Sequence, residues 1–288
     1  LDFEPKNIEI AVGDQVQLIA TKFPANALLD TVIWRSAISR FTISYDGVLT
    51  GTEPNEQQGF GSTIDGIIAM TSLSHLSNSA LNNVMVYENY TYNGHVPEYV
   101  ELAGIKWATS NVGADSPEEI GKYFMWGNTV GYTQEEFAGS TLDNAGGFSS
   151  SNYTANSQWG NGFSAASFTP GDRSIDAATI NKGINYVSPT LDQLETLINS
   201  DDVVWVSLNG NHRRFERSSV QGFVVMKKGT KPTDGQFIFI PASGFYQNKG
   251  VISSDYAYLW SSDKNSGINM QIRPGTDAGK TKEPTSIN

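Results

Sequence analysis

The chain has 288 residues, of which 39% are hydrophobic and 11% aromatic, and it contains no cysteine. This composition is too apolar for a disordered protein, and the lack of cysteine excludes disulfide scaffolds, thiol nucleophiles and thiolate zinc sites. The 30 acidic and 19 basic residues give a formal net charge of −11, which repels phosphate backbones and argues against nucleic acid as a partner. No run of about eighteen apolar residues is present, so we expect no membrane span.

Residues 1–90 predict short strands separated by turns. The alternating or β-branched runs are Gln15–Leu18, Thr31–Trp34, Phe41–Ser44, Thr63–Thr71 and Asn83–Glu88. The pair Asp46-Gly47 favours the positive φ angles of a tight hairpin turn. Several short strands at this spacing predict an all-β sandwich.

Four blocks in this region follow one another in the order of a known domain family. They are Ile8–Leu18, Phe23–Ala27, Val32–Ser36 and Asp46–Gly51. These residues resemble the bacterial immunoglobulin-like group 2 domain, and the resemblance covers residues 5 to 90. It implies an immunoglobulin-like sandwich in which Trp34 is a core residue.

A polar and aromatic stretch at residues 89–98 contains Gly94 and Pro97 and indicates a domain boundary. We therefore predict one domain at residues 1–92 and a second at residues 93–288.

The second domain is predicted to be α+β. The run Ser116-Pro117-Glu118-Glu119 matches a helix cap followed by a capping box. A second helix is expected to begin at Thr190, because leucines then recur on one face and Gln193 occupies the capping-box position. Strands are predicted at 203–208, 222–227, 236–240, 256–261 and 268–273.

A second family resemblance extends over most of this domain. Its blocks are Val100–Leu102, Lys106–Ala114, Tyr123–Gly127, Asp176–Ala178, Pro189–Asn199, Ile238–Gly244, Leu259–Ser262 and Ile272–Pro274. They are similar to the Fibrobacter succinogenes major paralogous domain, which is widespread in surface and exported proteins of gut Bacteroidetes. The resemblance implies a C-type-lectin-like fold. We therefore expect a multidomain chain, with an all-β immunoglobulin-like sandwich followed by an α+β C-type-lectin-like domain.

The residue types that carry catalysis form no recognised pattern. His75, His95 and His212 lack the spacing of a metalloprotease helix, and no nucleophile elbow is present. The formylglycine-generating relatives of the lectin-like family depend on reactive cysteines, which this chain lacks. Oxygen ligands for calcium are present without a pattern at Asp143, Asn144, Asp172 and Asp176. We expect a protein that is not an enzyme and has no cofactor or metal.

A long polar segment, Gly131 to Lys182, carries the candidate binding residues. Tyr153, Trp159 and Asn161 lie close together in it, among serine and asparagine. Aromatic rings beside amides favour a sugar subsite, because the rings pack on apolar C–H faces while the amides bond hydroxyls. The alternative is that these rings hold the segment against its domain.

These observations predict a non-catalytic cell-surface protein that takes part in adhesion or binds a glycan or an extracellular protein. A glycan-active enzyme and a structural module of a surface assembly remain alternatives. The chain begins at Leu1 without a charged segment and an apolar segment before it, so we interpret it as the mature part of an exported protein anchored upstream of Leu1. Both resembled families occur chiefly outside the cytoplasm.

Overall fold

The structure is a computed structural model that describes the chain in separate stretches. They are residues 2–21, 31–36, 39–54, 67–71, 83–124, 129–138, 173, 176–247, 250–252, 254–263, 267–271 and 283–284. In these stretches the chain is mostly β-strand with few helices, which confirms the predicted β-rich fold. The helices described are α1 (Gln134–Ala138), α2 (Ala177–Lys182) and α3 (Leu191–Asn199).

The strands are short and form several sheets. The first nine are β1 (Asp2–Glu4), β2 (Asn7–Ala11), β3 (Gln15–Gln17), β4 (Ile19–Thr21), β5 (Val32–Ser36), β6 (Phe41–Ile43), β7 (Val48–Gly51), β8 (Ile67–Thr71) and β9 (Asn83–Tyr90). The others are β10 (Tyr99–Leu102), β11 (Ile105–Ala108), β12 (Val203–Leu208), β13 (Arg213–Phe215), β14 (Gly222–Lys227), β15 (Phe237–Pro241), β16 (Phe245–Gln247), β17 (Gly250–Ile252), β18 (Tyr256–Trp260), β19 (Gly267–Gln271) and β20 (Glu283–Pro284).

By its internal contacts the chain divides into two compact units. The first consists of Leu1–Tyr90 together with Gly210–Ser219, and the second of Thr91–Asn209 and Val220–Asn288. No sequence pattern indicated that Gly210–Ser219 belongs with the first unit. The division into domains 1–92 and 93–288 stays a prediction.

The first unit is built from short sheets around one apolar core. Strand β9 pairs in parallel with β2 and with β13, while β3, β7 and β6 form an antiparallel sheet. The core residues are Phe3, Ile8, Ile10, Leu18, Phe41, Leu49, Val84 and Val86. Trp34 packs against this core, with its ring perpendicular to the ring of Phe3 at 5.4 Å.

The hairpin turn predicted at Asp46-Gly47 is confirmed, but of this pair only Gly47 has the positive φ angle that was expected of both residues. It joins β6 to β7, and Gly47 has a φ angle of +86°. A Cβ atom at this position would lie 2.9 Å from Trp34 Nε1 and 3.1 Å from the Leu18 carbonyl oxygen. Gly47 therefore meets two requirements at once, a left-handed backbone and a close approach to the core tryptophan.

We expect Gly47→Ala to destabilise the first unit by about 2–4 kcal/mol, because it adds steric overlap to a backbone that alanine disfavours. Gly13→Ala is the matched control, since Gly13 has a φ angle of +89° with open space around its Cβ position. The control should cost only about 1 kcal/mol. Chemical denaturation followed by hydrogen exchange in β2 and β9 measures both values, and equal losses would contradict the role of the tryptophan.

The segment Gly210–Ser219 completes the sheet of the first unit. Its strand β13 runs parallel to β9, with Arg213 opposite Glu88 and Phe215 opposite Tyr90. The ring of Phe215 is 1% exposed. His212 lies one residue before this strand, and its carbonyl oxygen accepts a hydrogen bond of 2.8 Å from the Glu88 amide.

Burial, together with the guanidinium groups of Arg40, Arg213 and Arg214, lowers the pKa of His212 below its ordinary 6.5. As the pH falls below 6.5, the unfolded chain takes up this proton before the folded chain does. The first unit should therefore lose stability below that pH and level off below the folded pKa.

The measurement is the urea midpoint of the first unit between about pH 7.5 and 5. His212→Gln should flatten the slope, whereas His95→Gln, which changes an exposed histidine of the second unit, should leave it unchanged. An unaltered slope in His212→Gln would contradict the assignment.

The second unit contains the antiparallel sheet β12-β14-β15, the hairpins β10-β11 and β16-β17, and the sheet β18-β19-β20. Its core residues are Val100, Leu102, Leu197, Phe223, Val225, Ile238, Ile240 and Ala257. Trp107 and Trp205 pack against them. The predicted strands at 203–208, 222–227, 236–240, 256–261 and 268–273 are confirmed within one or two residues.

The helix predicted from Thr190 is confirmed as α3. The Thr190 hydroxyl accepts from the Gln193 amide at 3.1 Å, and the Gln193 side chain accepts from the Thr190 amide at 2.9 Å. Leu194 and Leu197 are buried. The amide of Leu191 donates to Asp263 Oδ2 at 2.5 Å, so a carboxylate occupies the positive end of this helix.

The helix predicted at Ser116–Glu119 is wrong. These residues form a turn, in which the Glu119 amide donates to the Ser116 carbonyl at 3.3 Å and the Glu119 carboxylate accepts from the Asp115 amide at 2.9 Å. The carboxylate thus caps a single turn without a helix after it. Conversely, α1 and α2 lie within the long polar segment Gly131 to Lys182, where no helix was predicted.

In the part of the chain that the structure describes, no helix has both the length and the apolar character needed to cross a membrane.

Candidate functional site

The three predicted binding residues, Tyr153, Trp159 and Asn161, lie outside the described residues. The same holds for Asp143, Asn144 and Asp172. The candidate site is therefore described from the residues at the two ends of the segment 131–182 and from the strands that these residues contact.

The ends of this segment lie beside each other. The Asn181 side-chain amide in α2 donates to the Thr129 carbonyl oxygen at 2.9 Å. Tyr123 and Tyr132 exchange backbone hydrogen bonds of 2.8 and 3.0 Å just before and after the start of the segment. The described residues at the start of the segment therefore lie beside those at its end.

Helix α2 forms the C-terminal end of the segment 131–182, and hydrogen bonds attach it to the rest of the second unit. Lys182 donates from Nζ to Ser110 Oγ at 2.8 Å and to the Asn111 carbonyl at 3.2 Å, and burial lowers the pKa of this ammonium group. Tyr186 donates to Glu98 Oε1 at 2.8 Å, which raises the pKa of the phenol. These contacts connect α2 to the residues around β10 and β11, and they account for Lys182 as a structural residue.

Asp176, which was considered as a calcium ligand, is the buried N-cap of α2. Its Oδ2 atom accepts from the Thr179 amide at 2.7 Å, and its carboxylate also accepts from the Ser188 amide at 3.1 Å. Both interactions hold backbone groups, so the carboxylate organises the helix and the chain that follows it.

A row of aromatic side chains lies on one face of β18 and on the neighbouring β16. Its members, hereafter the aromatic row, are Phe245, Tyr256, Tyr258 and Trp260, all half-buried. On β18 the alternate residues Ala257 and Leu259 pack towards the core, which leaves the three rings on the opposite face.

Three rings of the row, those of Phe245, Tyr256 and Tyr258, are in contact through Tyr258. Tyr256 and Tyr258 have centroids 5.8 Å apart and planes inclined by 30°, and Phe245 meets Tyr258 edge to face at 4.9 Å. Neighbouring rings of this kind present a rigid, apolar surface with phenol and indole groups at its rim.

The row and the base of the loop are joined by hydrogen bonds. Trp260 donates from Nε1 to the Phe124 carbonyl at 2.8 Å, and Tyr123 donates from its hydroxyl to the Ser243 carbonyl at 2.7 Å. Burial raises the pKa of Tyr123, which keeps its hydroxyl protonated as a donor. The structure thus places Tyr123 and Phe124, which precede the predicted binding loop and are hereafter the base of the loop, beside the aromatic row.

The second unit also contains a groove of about 520 Å³. Its floor includes Leu102, Ala103 and Gly104 of the turn between β10 and β11, and its wall is the last turn of α3. Two carboxylates, Glu101 and Asp202, and the ammonium group of Lys227 border it. A groove lined by both charges, hydroxyls and an amide suits a small polar molecule.

In the described stretches, no three His, Asp or Glu side chains lie close enough together to bind a metal ion. The charged groups that line the groove are the carboxylates of Glu101 and Asp202 and the ammonium group of Lys227.

The sequence analysis did not identify the aromatic row. The signal was present in Tyr256-Ala257-Tyr258-Leu259-Trp260, where aromatic residues alternate with aliphatic ones. Such alternation predicts two unlike faces of one strand, but it does not tell which face packs inwards.

No protein-family model matches this chain, and a search of curated proteins finds no match to it.

Proposed function

We propose that this chain is a non-catalytic cell-surface protein that binds a glycan through its second unit. The aromatic row, together with the base of the loop that meets it, is the observation that carries this proposal. Half-buried rings held by mutual contacts give apolar contact area at little cost in side-chain entropy.

A glycan fits this surface because a pyranose ring has an apolar face of C–H groups and a rim of hydroxyls. The rings of Tyr256 and Tyr258 would contact the C–H face, while hydroxyls and amides of the loop would bond the rim. Tyr153, Trp159 and Asn161 remain our proposed residues for that second part, since Phe124, which precedes their segment, accepts a hydrogen bond from Trp260.

The family resemblances support the same assignment. A C-type-lectin-like second unit would present the loop, and an immunoglobulin-like first unit would act as a spacer. An extracellular protein ligand would use the same surface and is the alternative partner. Exported location at the outer surface belongs to this proposal, and protease accessibility on intact cells tests it.

A glycan array probed with the full chain tests the function, with turnover assayed on each sugar that binds. We expect selective binding without product, and Trp159→Ala should weaken it roughly tenfold without unfolding the unit. If the chain binds an extracellular protein but no sugar, the ligand of this site is a protein and not a glycan. No ligand of either kind would favour a structural module.

The groove beside α3 supports a second candidate, a glycan-active enzyme. Hydrolysis of a glycosidic bond uses two carboxyl groups that flank it, and Glu101 and Asp202 border one groove. If this candidate is correct, product forms on a sugar that binds, and Glu101→Gln or Asp202→Asn abolishes turnover while binding persists. Full turnover in both variants would exclude it.

A further inference from the structure

Strand β9 of the first unit has two sides, and the two are filled differently. On one side it pairs with β2 over five residues, from Asn7 opposite Asn83 to Ala11 opposite Tyr87. On the other side, within the described part of the chain, residues Glu88 to Tyr90 pair with the three residues of β13, which come from the separate segment Gly210–Ser219. In the chain this segment lies between β12 and β14, which pair with each other in the second unit.

The backbone of β9 offers this second side as a template for a parallel strand. The Glu88 amide donates to the His212 carbonyl at 2.8 Å, and the Tyr90 carbonyl accepts from the Glu216 amide at 2.8 Å. Without the segment, these groups at the sheet edge would face solvent or another strand.

Side chains on and near β9 make specific contacts with the arginines of the segment Gly210–Ser219. Arg214 stacks over the Tyr87 ring at 4.3 Å and reaches Glu9 Oε2 at 3.1 Å. Arg217 donates to both oxygens of the Asp14 carboxylate. A planar guanidinium with a carboxylate on its fork or a ring on its face is recognised far more specifically than a point charge.

Phe215 is the apolar residue by which this segment packs into the first unit, and its ring is 1% exposed. The next two residues, Glu216 and Arg217, have φ angles of +46° and +63°, which side-chain-bearing residues rarely adopt. The Arg217 amide donates to Asn89 Oδ1 at 2.7 Å and the Glu216 amide to Tyr90, so contacts to β9 hold this disfavoured backbone in place.

We propose that this side of β9 is a strand-binding site for a basic, extended peptide, and that the chain fills it with its own residues 210–219. The ligand pattern is two arginines, a buried aromatic residue and a further arginine two positions on. Carboxylates of Glu9, Asp14 and Glu88 and the ring of Tyr87 select that pattern, while the backbone of β9 supplies affinity as in strand addition.

The test uses the full chain with residues 209–221 replaced by an Asn-Gly turn, which suits the antiparallel register of Leu208 and Gly222. A labelled synthetic peptide of residues 209–220 is the probe. We expect it to bind the variant and to slow hydrogen exchange in 84–90, while wild-type chain binds it at least about a hundredfold more weakly because its site is full.

Peptides with Arg214→Ala or Arg217→Ala should bind at least about tenfold more weakly, whereas Glu216→Gln, which changes an exposed side chain, should change little. If the turn variant does not fold alone, the peptide must restore its folding. A folded variant that binds no peptide, or an unfolded one that the peptide does not rescue, would overturn the proposal.

Discussion

Replacing Tyr258 with alanine is expected to weaken glycan binding by the full chain by about tenfold or more, while the second unit stays folded. Tyr258 is the central ring of the aromatic row, since it contacts Tyr256 at 5.8 Å and Phe245 at 4.9 Å. A ring contact contributes about 0.5–1.5 kcal/mol beyond the burial of area, and about 1.4 kcal/mol corresponds to a tenfold change in affinity. Loss of the ring also removes support from its two neighbours.

Two matched variants separate stacking from other causes. Tyr258→Phe retains the ring and should keep most of the affinity, whereas Tyr45→Ala removes a tyrosine that is 75% exposed in the first unit and should keep all of it. Isothermal titration with the best sugar from the array gives the three affinities, and thermal unfolding checks the fold. If Tyr258→Ala binds the sugar as tightly as wild type does, the aromatic row is not part of the binding site.

Replacing Phe215 with alanine is expected to destabilise the first unit by about 3–5 kcal/mol. Truncating a fully buried phenylalanine loses the transfer free energy of its ring and leaves a cavity. This loss is large, because the free energy of unfolding of a native protein is only about 5–15 kcal/mol. The loss should concern residues 2–90, far from Phe215 in sequence, because the ring belongs to the core of that unit.

Arg213→Ala provides the control in the same strand. Arg213 pairs with Glu88 at 3.4 Å, but both side chains are partly exposed, so the pair should contribute less than about 1 kcal/mol. Denaturant unfolding monitored by hydrogen exchange in β2 and β9 measures the two variants. A loss below about 1 kcal/mol for Phe215→Ala would show that the segment is a peripheral attachment.

Local chemistry explains which elements could be predicted from the sequence. The capping box of Thr190 and Gln193 and the turn at Gly47 depend on residues that are adjacent in the chain, and both were predicted correctly. Ser116–Glu119 carries the same capping letters, but no amphipathic run follows it. Capping residues alone do not stabilise a helix, because most of its stability comes from the packing of an apolar face.

Long-range placement explains what could not be predicted. Strand β13 has three residues, two of them arginines, so neither length nor alternation indicates a strand. Its conformation comes from pairing with β9, where Arg213 lies opposite Glu88, and from the carboxylate of Glu9, which is 205 positions before Arg214. Helix α2 had a capping aspartate and a terminal Gly183, yet six residues are too few for a hydrophobic period.

The aromatic row likewise depends on tertiary structure. The alternation in β18 was visible, but its outer face is defined only by the core against which Ala257 and Leu259 pack. The convergence of Trp260 with the base of the loop requires a hydrogen bond to Phe124, 136 positions away.

A hydrogen-exchange footprint of the full chain, saturated with its best-binding sugar while product release is followed in the same sample, tests the central claim most directly. The account predicts slower exchange in β16 and β18 and at the base of the loop, unchanged exchange around the groove at Leu102–Gly104, and no product. Protection of the groove with consumption of the sugar, and none in β18, would contradict it.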